Sequence, residues 1–250
     1  MLTRRRLLTT ASAGTALLGG SVLLPFAARA EGDMFDTPHG PVVIHPVSHA
    51  SFAMETPAGV LYSDPVGDPA LYADLPKPDV ILVTHEHGDH YNADTLAALL
   101  GDETLLITNP AVGGMLPEAL KARATVLANG ESTTAIGIGI DAIPAYNTTE
   151  DRLKYHPQGR DNGYVLHLGG DKVYIAGDTE DIPEMRALTG IMIAFVPMNL
   201  PYTMDTDQAA SAVNDFKPQY VYPYHYKGLD PEDFAAKVTD SEVRFGPWYG

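Results

Sequence analysis

Three apolar runs, far apart in the chain, each end on a side chain that can bind a metal. "DVILVT" (79–84) leads to His85, "KVYIAG" (172–177) to Asp178 and "QYVYPY" (219–224) to His225. Runs of this length and β-branched content read as buried strands. Any fold that accommodates them must let the carboxyl ends of separate strands converge. Sheet folds containing helices do this, because their loops can meet while the strands stay rigid.

The first run carries the densest signal, "THEHGDH" at residues 84–90. His85 and His87, two apart in an extended segment, point to one side. Gly88 is expected to let the chain turn, so that Asp89 and His90 face a second position. A single zinc takes about four ligands at ~2.0–2.2 Å. His85, His87, Asp89, His90, Asp178 and His225 make six, so two metals are the natural count. Paired metals sit ~3.5–4 Å apart and need a shared group between them. Asp178 is the candidate for that bridge. The chain has no cysteine, so every ligand must be nitrogen or oxygen. His45 and His167, isolated in apolar strands, read as ordinary core residues.

Strand-like runs dominate the early part, at 42–47, 51–56 and 60–64. A helix is expected over 93–100 with Asn92 as its cap, a strand over 104–108 and a helix over 114–124. The strand region 136–146 follows. A hairpin turning at Gly169-Gly170, a short helix, a strand ending "FVPM", a helix over 205–216, the strand over 219–224 and a last helix complete the chain. Strands first, then strands alternating with helices, in each half, predict two packed sheets with helices outside.

Residues 1–30 stand apart. They combine Arg4-Arg5-Arg6, a modestly apolar stretch broken by Gly14, Gly19, Gly20 and Pro25, and a small-residue ending at Ala30. This resembles a twin-arginine export signal, cleaved after Ala30, which predicts a periplasmic address with no permanent membrane span in the mature chain. Residues 31–250 are then one large domain. Losing four arginines takes the formal charge from −16 to −20. A surface that acidic repels phosphate backbones and argues against nucleic acid as a partner.

His85-Glu86-His87-Gly88-Asp89-His90 resembles the HxHxDH signature of the metallo-β-lactamase superfamily, and "AGDTE" (176–180) and "PYHYKG" (223–228) resemble its two later motifs. The resemblance spans most of the mature chain. It implies an α/β, four-layer αββα sandwich and a metal-dependent hydrolase. By it, His85 and His87 bind the first metal, Asp89, His90 and His225 the second, and Asp178 bridges. "HASFAMETPAGVLYSDPVGD" (49–68) is similar to the opening of the group that includes ascorbate-phosphate lactonase-like proteins and the N-acyl-phosphatidylethanolamine-hydrolysing phospholipase. In that group the aspartate matching Asp64 supports the histidine cluster, and His49 lies near the pocket. Read as plain sequence, Asp64 is a turn residue before Pro65 and His49 a strand-end histidine.

One departure stands out. The third histidine that normally completes the first metal site falls at Asn147 in "IPAYN". His156, in "KYHPQG", is the expected replacement, with Asn147 or water as alternatives. Tyr146 and Asn147, and Asn199, Tyr202 and Thr203 from "PMNLPYTMD", are candidates for the pocket wall. The expected cofactors are two Zn2+, with iron or manganese as alternatives. The expected reaction is attack by a hydroxide shared between the metals on an ester, lactone or phosphodiester of a small-molecule or lipid-like substrate. Asp89 would orient that nucleophile or shuttle its proton. An iron-dependent oxidative enzyme, a β-lactam hydrolase and a non-catalytic metal-binding protein are the rival readings.

Overall fold

The computed structural model describes residues 32–249; the expected export signal lies outside them. Seven strands pair in chain order to form the first sheet: β1 (Asp33–Phe35), β2 (Val42–Ser48), β3 (Ser51–Thr56), β4 (Gly59–Ser63), β5 (Val80–Val83), β6 (Leu105–Thr108) and β7 (Ala124–Val126). The second sheet repeats the plan with β8 (Ser132–Ala135), β9 (Ile138–Ala145), β10 (Asp161–Leu168), β11 (Asp171–Ile175), β12 (Ile191–Pro197), β13 (Tyr220–Tyr224) and β14 (Glu242–Val243). In each sheet the first four strands run antiparallel through hairpins and the last four run parallel. Parallel neighbours need crossovers. These carry the helices α1 (Ala93–Leu99), α2 (Pro110–Met115), α3 (Glu118–Lys121), α4 (Pro183–Arg186), α5 (Thr206–Phe216) and α6 (Pro231–Ala235).

Alternation along the buried strands builds the layers. Val80 and Leu82 of β5 point between the sheets and meet Tyr164, Ile175 and Phe195 in the central core. Ile81 and Val83, on the opposite face, pack with Leu96 of α1 and Val112 of α2. The second sheet does the same, with Ala194 and Val196 of β12 against Val213 and Phe216 of α5. The result is helix, sheet, sheet, helix: the four-layer αββα sandwich expected from the sequence. Among the described residues no helix is long and apolar enough to cross a membrane.

Two local expectations change. The helix read over 114–124 is two short ones, because Pro117 cannot continue a helix and pushes Leu116 out of helical geometry (ψ 137°). The strand region 136–146 begins at Ile138, since Ile136 and Gly137 have positive φ and form the turn of the β8–β9 hairpin.

Candidate metal centre

The end of β5 folds back on itself. The backbone N–H groups of His90 and Tyr91 both donate to the His87 carbonyl, at 2.9 and 2.8 Å. Gly88 has no left-handed φ and faces open space. The turn therefore does not depend on glycine at that position, contrary to the sequence expectation. His87 Nδ1 comes to 3.1 Å from His85 Nε2, so the two rings aim at a common point.

Asp178, just past β11, lies at the centre. Its Oδ2 is 3.8 Å from His85 Nε2, 3.4 Å from His156 Nε2 and 3.3 Å from His225 Nε2, and its Oδ1 is 3.3 Å from His90 Nε2. Three overlapping groups have potential ligand atoms within 4.8 Å of one another: His85, His87, His156 and Asp178; His90, Asp178 and His225; and His49, Asp89 and His225. Among the described residues, His90 Nε2, His156 Nε2, Asp178 Oδ1 and both nitrogens of His225 are buried with no hydrogen-bond partner. Buried polar atoms are rarely left so. Several converging on one point, all nitrogen and carboxylate oxygen, make a donor set that fits divalent cations.

Supporting contacts fix which nitrogen faces inward. Thr84 donates its backbone N–H and its hydroxyl to Asp64, each at 2.7 Å. With that proton committed, the Thr84 oxygen accepts from His85 Nδ1 at 3.0 Å, and Asp64 Oδ2 accepts from His90 Nδ1 at 2.8 Å. Both rings then commit Nδ1 to these bonds and turn Nε2 to the centre. His156 is oriented likewise. Its Nδ1 is 2.9 Å from Asp161 Oδ2, and Arg160 grips that carboxylate at 2.7 and 2.9 Å while reaching Glu86 at 2.9 Å.

The loop between β9 and β10 delivers His156. Buried Glu180, two residues past Asp178, accepts the backbone N–H groups of Thr148 and Thr149 at 2.6 and 2.7 Å and pairs with Arg152 at 2.7 Å. Asn147 donates its amide to the carbonyls of Tyr202 and Arg152 at 2.7 and 3.2 Å, and its backbone N–H to the His156 carbonyl at 2.8 Å. Its amide nitrogen braces the loop that carries the histidine. Three residues at the centre, His49, Asp64 and His225, adopt left-handed φ near 50°, the kind of local strain that collects at functional sites.

The charges are strongly coupled. Burial, then the neighbouring His90, drive the His85 pKa well below its ordinary value, and burial lowers His87. Both are neutral imidazoles with a free lone pair. His90 goes the other way: burial alone would lower it, but Asp178 and Asp64 raise it well above. Burial would raise Asp178, yet His225 and His90 hold it far below the usual carboxylate range. Asp89 is also held below that range, because contacts from His225 at 3.3 Å and His49 at 3.1 Å outweigh its partial desolvation.

A cleft of about 820 Å3 opens over the centre, with His87, Asp89, His156, Asp178 and His225 at its floor and Asn199, Tyr202 and His49 in its wall. Three wall candidates do not line the cleft: Asn147, whose amide braces the loop of His156, and two others. Tyr146 packs into the core outside the second sheet with its hydroxyl on Glu184 at 3.1 Å, and Thr203 is buried with its hydroxyl on the Asn199 N–H at 2.8 Å. Sequence reading missed Tyr155, Lys227 and Tyr249 in the wall, and Thr84, Asp161 and Glu180 beneath it. Asp161, next to Arg160 at the start of a strand, gave some signal. Tyr249, in a tail without periodicity, gave none. His45 pairs with Glu55 at 2.9 Å and His167 with Asp141 at 2.6 Å, away from the centre.

Known proteins resemble this chain in sequence and fold. The family model of the β-lactamase superfamily domain matches residues 44–225. A UPF0173 metal-dependent hydrolase from Pyrococcus abyssi is 32% identical over 209 residues, covering 78% of this chain and 91% of the relative. The crystal structure of a metal-dependent hydrolase from Parabacteroides distasonis has 41% identity and a TM-score of 0.79, covering 87% of this chain and 99% of that one. Igni18, a metallo hydrolase from Ignicoccus hospitalis, shares the fold at 24% identity and a TM-score of 0.67, over 82% of this chain and 94% of its own. With its layered fold, its histidine and aspartate cluster and these relatives, the chain belongs to the metallo-β-lactamase superfamily and is a metal-dependent hydrolase.

Proposed function

We propose that the protein is an exported hydrolase that holds two zinc ions and cleaves an ester, lactone or phosphodiester bond of a small-molecule or lipid-like substrate. The observation that carries this reading is Asp178, one buried carboxylate facing His85, His156, His90 and His225 at 3.3–3.8 Å. His85, His87 and His156 with Asp178 would hold one ion, and Asp89, His90 and His225 with Asp178 the other. When bound, such a pair supplies a water acidic enough to ionise near neutral pH and a Lewis acid for the scissile oxygen. The nitrogen and oxygen donors suit zinc, and iron or manganese by the same chemistry.

The remaining work falls to the chain. Asp89 is partly exposed at the cleft floor, ionised, and held through Oδ2. A carboxylate this acidic is a weak base, so its role is to orient the attacking water and pass a proton on, not to store it. Lys227 is the only Lys or Arg lining the cleft among the described residues. It offers a cation to a phosphate or carboxylate on the substrate, on an otherwise acidic molecule. Asn199 and Tyr202 line the same cleft.

The test is a panel of aryl esters, lactones, bis(p-nitrophenyl) phosphate and a β-lactam, run on zinc-loaded and chelator-treated protein. Metal-dependent turnover of a member of the first three classes, above that of the β-lactam, is expected. Preference for the β-lactam would replace the substrate assignment. Export through the twin-arginine route is part of the proposal. Changing Arg4 and Arg5 to lysine should leave the precursor in the cytoplasm, and continued periplasmic delivery of a chain starting at Glu31 would reject it.

A further inference from the structure

Tyr249 reaches the centre from the far end of the chain. Trp248 carries it there, with an indole buried against Phe52, Phe195, Tyr222 and Tyr224 between the sheets. The Trp248 carbonyl accepts the His49 N–H at 3.1 Å, and the His49 carbonyl accepts the His225 N–H at 3.0 Å. These two bonds lace the tail, the end of β2 and the end of β13 together beside the metal-binding side chains. The His49 ring lies over that of His225, with centroids 3.9 Å apart, and Tyr226 packs edge-on against Tyr249.

The Tyr249 hydroxyl lies 2.6 Å from His49 Nδ1, and the other end of the ring decides the direction of that bond. His49 Nε2 lies 3.1 Å from Asp89 Oδ2. An ionised carboxylate only accepts, so Nε2 carries the hydrogen. A neutral imidazole with its hydrogen on Nε2 has a lone pair at Nδ1, and the phenol O–H donates to it.

We infer that Tyr249 and His49 form a donor relay that fixes Asp89: the Tyr249 hydroxyl donates to His49 Nδ1, and His49 Nε2–H donates to Asp89 Oδ2. His49 is close enough to Asp89 and His225 to share a cation with them. In this tautomer its Nε2 has no lone pair to offer, so it is a positioning residue and not a metal ligand. The relay holds one oxygen of Asp89 in place and leaves the other free to turn toward the cleft. Its catalytic consequence rests on the hydrolase reading above; its hydrogen-bond geometry does not.

Two-bond proton–nitrogen NMR on zinc-loaded, 15N-histidine-labelled protein tests it. The wild type should show His49 as the Nε2-protonated tautomer with an unmetallated ring. In Tyr249→Phe, which keeps the ring and removes the hydroxyl, that fixed pattern should be lost while zinc content stays at the wild-type ratio. Turnover of bis(p-nitrophenyl) phosphate should fall about 10–100-fold in kcat with KM little changed, the size typical of groups that orient a metal site. An Nδ1-protonated His49 bound to zinc in the wild type, or an unchanged His49 spectrum in Tyr249→Phe, would overturn the relay. If the wild type binds zinc but leaves the probe intact, the phosphodiester reading fails, while the tautomer still decides the relay.

Discussion

Asp64 Oδ2 sits 2.8 Å from His90 Nδ1, and both residues are fully buried. The same carboxylate takes two donors from Thr84, so Asp64 faces three donors and must be an acceptor at every point. Asp64→Asn keeps the shape but turns an amide N–H toward one of them. The expected result is a loss of about 10–100-fold in affinity for the metal at His90. The same variant should lose roughly 1–3 kcal/mol of stability from the unsatisfied buried donor. Metal titration and urea unfolding check it; wild-type values in both would show that Asp64 is only a turn residue.

The loop histidine gives a graded series. His156→Ala should lose the metal shared with His85 and His87 while that at His90 and His225 stays. Asp161→Asn, which loosens the His156 ring without removing it, should weaken the same metal about 10–100-fold. Asn147→Ala should be milder in metal content, since its amide nitrogen holds the loop through Tyr202 and Arg152. Equilibrium dialysis ranks the three, and an Asn147 effect larger than that of His156 would reverse the assignment.

His90 and His85 answer pH in opposite senses. Metal binding needs a deprotonated ring. In the metal-free protein Asp178 and Asp64 hold the His90 proton well above its ordinary 6.5, while burial strips that of His85 well below 6.5. Affinity at the His90 position should therefore climb as pH rises from 6.5 through the raised His90 value, and at the His85 position it should stay nearly flat. On acidification the metal at His90 should leave first. Stability of the metal-free chain follows the linkage. The His90 contribution is complete below 6.5 and fades as pH rises through its raised value. The His85 contribution is complete above 6.5 and fades as pH falls through its depressed value. Metal content against pH decides the order of loss.

Trp248 joins stability to the site. It is 2% exposed, within an aromatic cluster spanning both sheets. Trp248→Ala should cost about 3–5 kcal/mol and release Tyr249 from His49. Thermal unfolding measures the first effect and the His49 NMR signals the second; a variant as stable as wild type would mean the tail is not part of the core.

The buried strands and the histidine motif were legible in sequence because each has a periodic or clustered signature. β5 is apolar at all four positions, and its histidines follow at once. The four edge strands, β1, β7, β8 and β14, were not legible. They are short and partly polar, and only neighbouring backbone makes them strands. His156 was legible as a candidate only by elimination, because Glu180, Asp161 and Asn147 bring it to Asp178 through contacts across the fold. Tyr146 was misplaced for the reverse reason: it adjoins Asn147 in sequence but points into the core outside the second sheet.

Asp178 tests the account most directly. Metal analysis of purified wild type and Asp178→Ala, each saturated with zinc and dialysed, should find two zinc ions per wild-type chain and at most one in the variant. Hydrolysis should be lost along with it, because among the described residues no other carboxylate faces His85, His156, His90 and His225 together. Circular dichroism on the same samples confirms that the variant is folded. A wild type that holds a single zinc, or a folded Asp178→Ala that keeps two and turns over substrate normally, would contradict the shared-carboxylate centre.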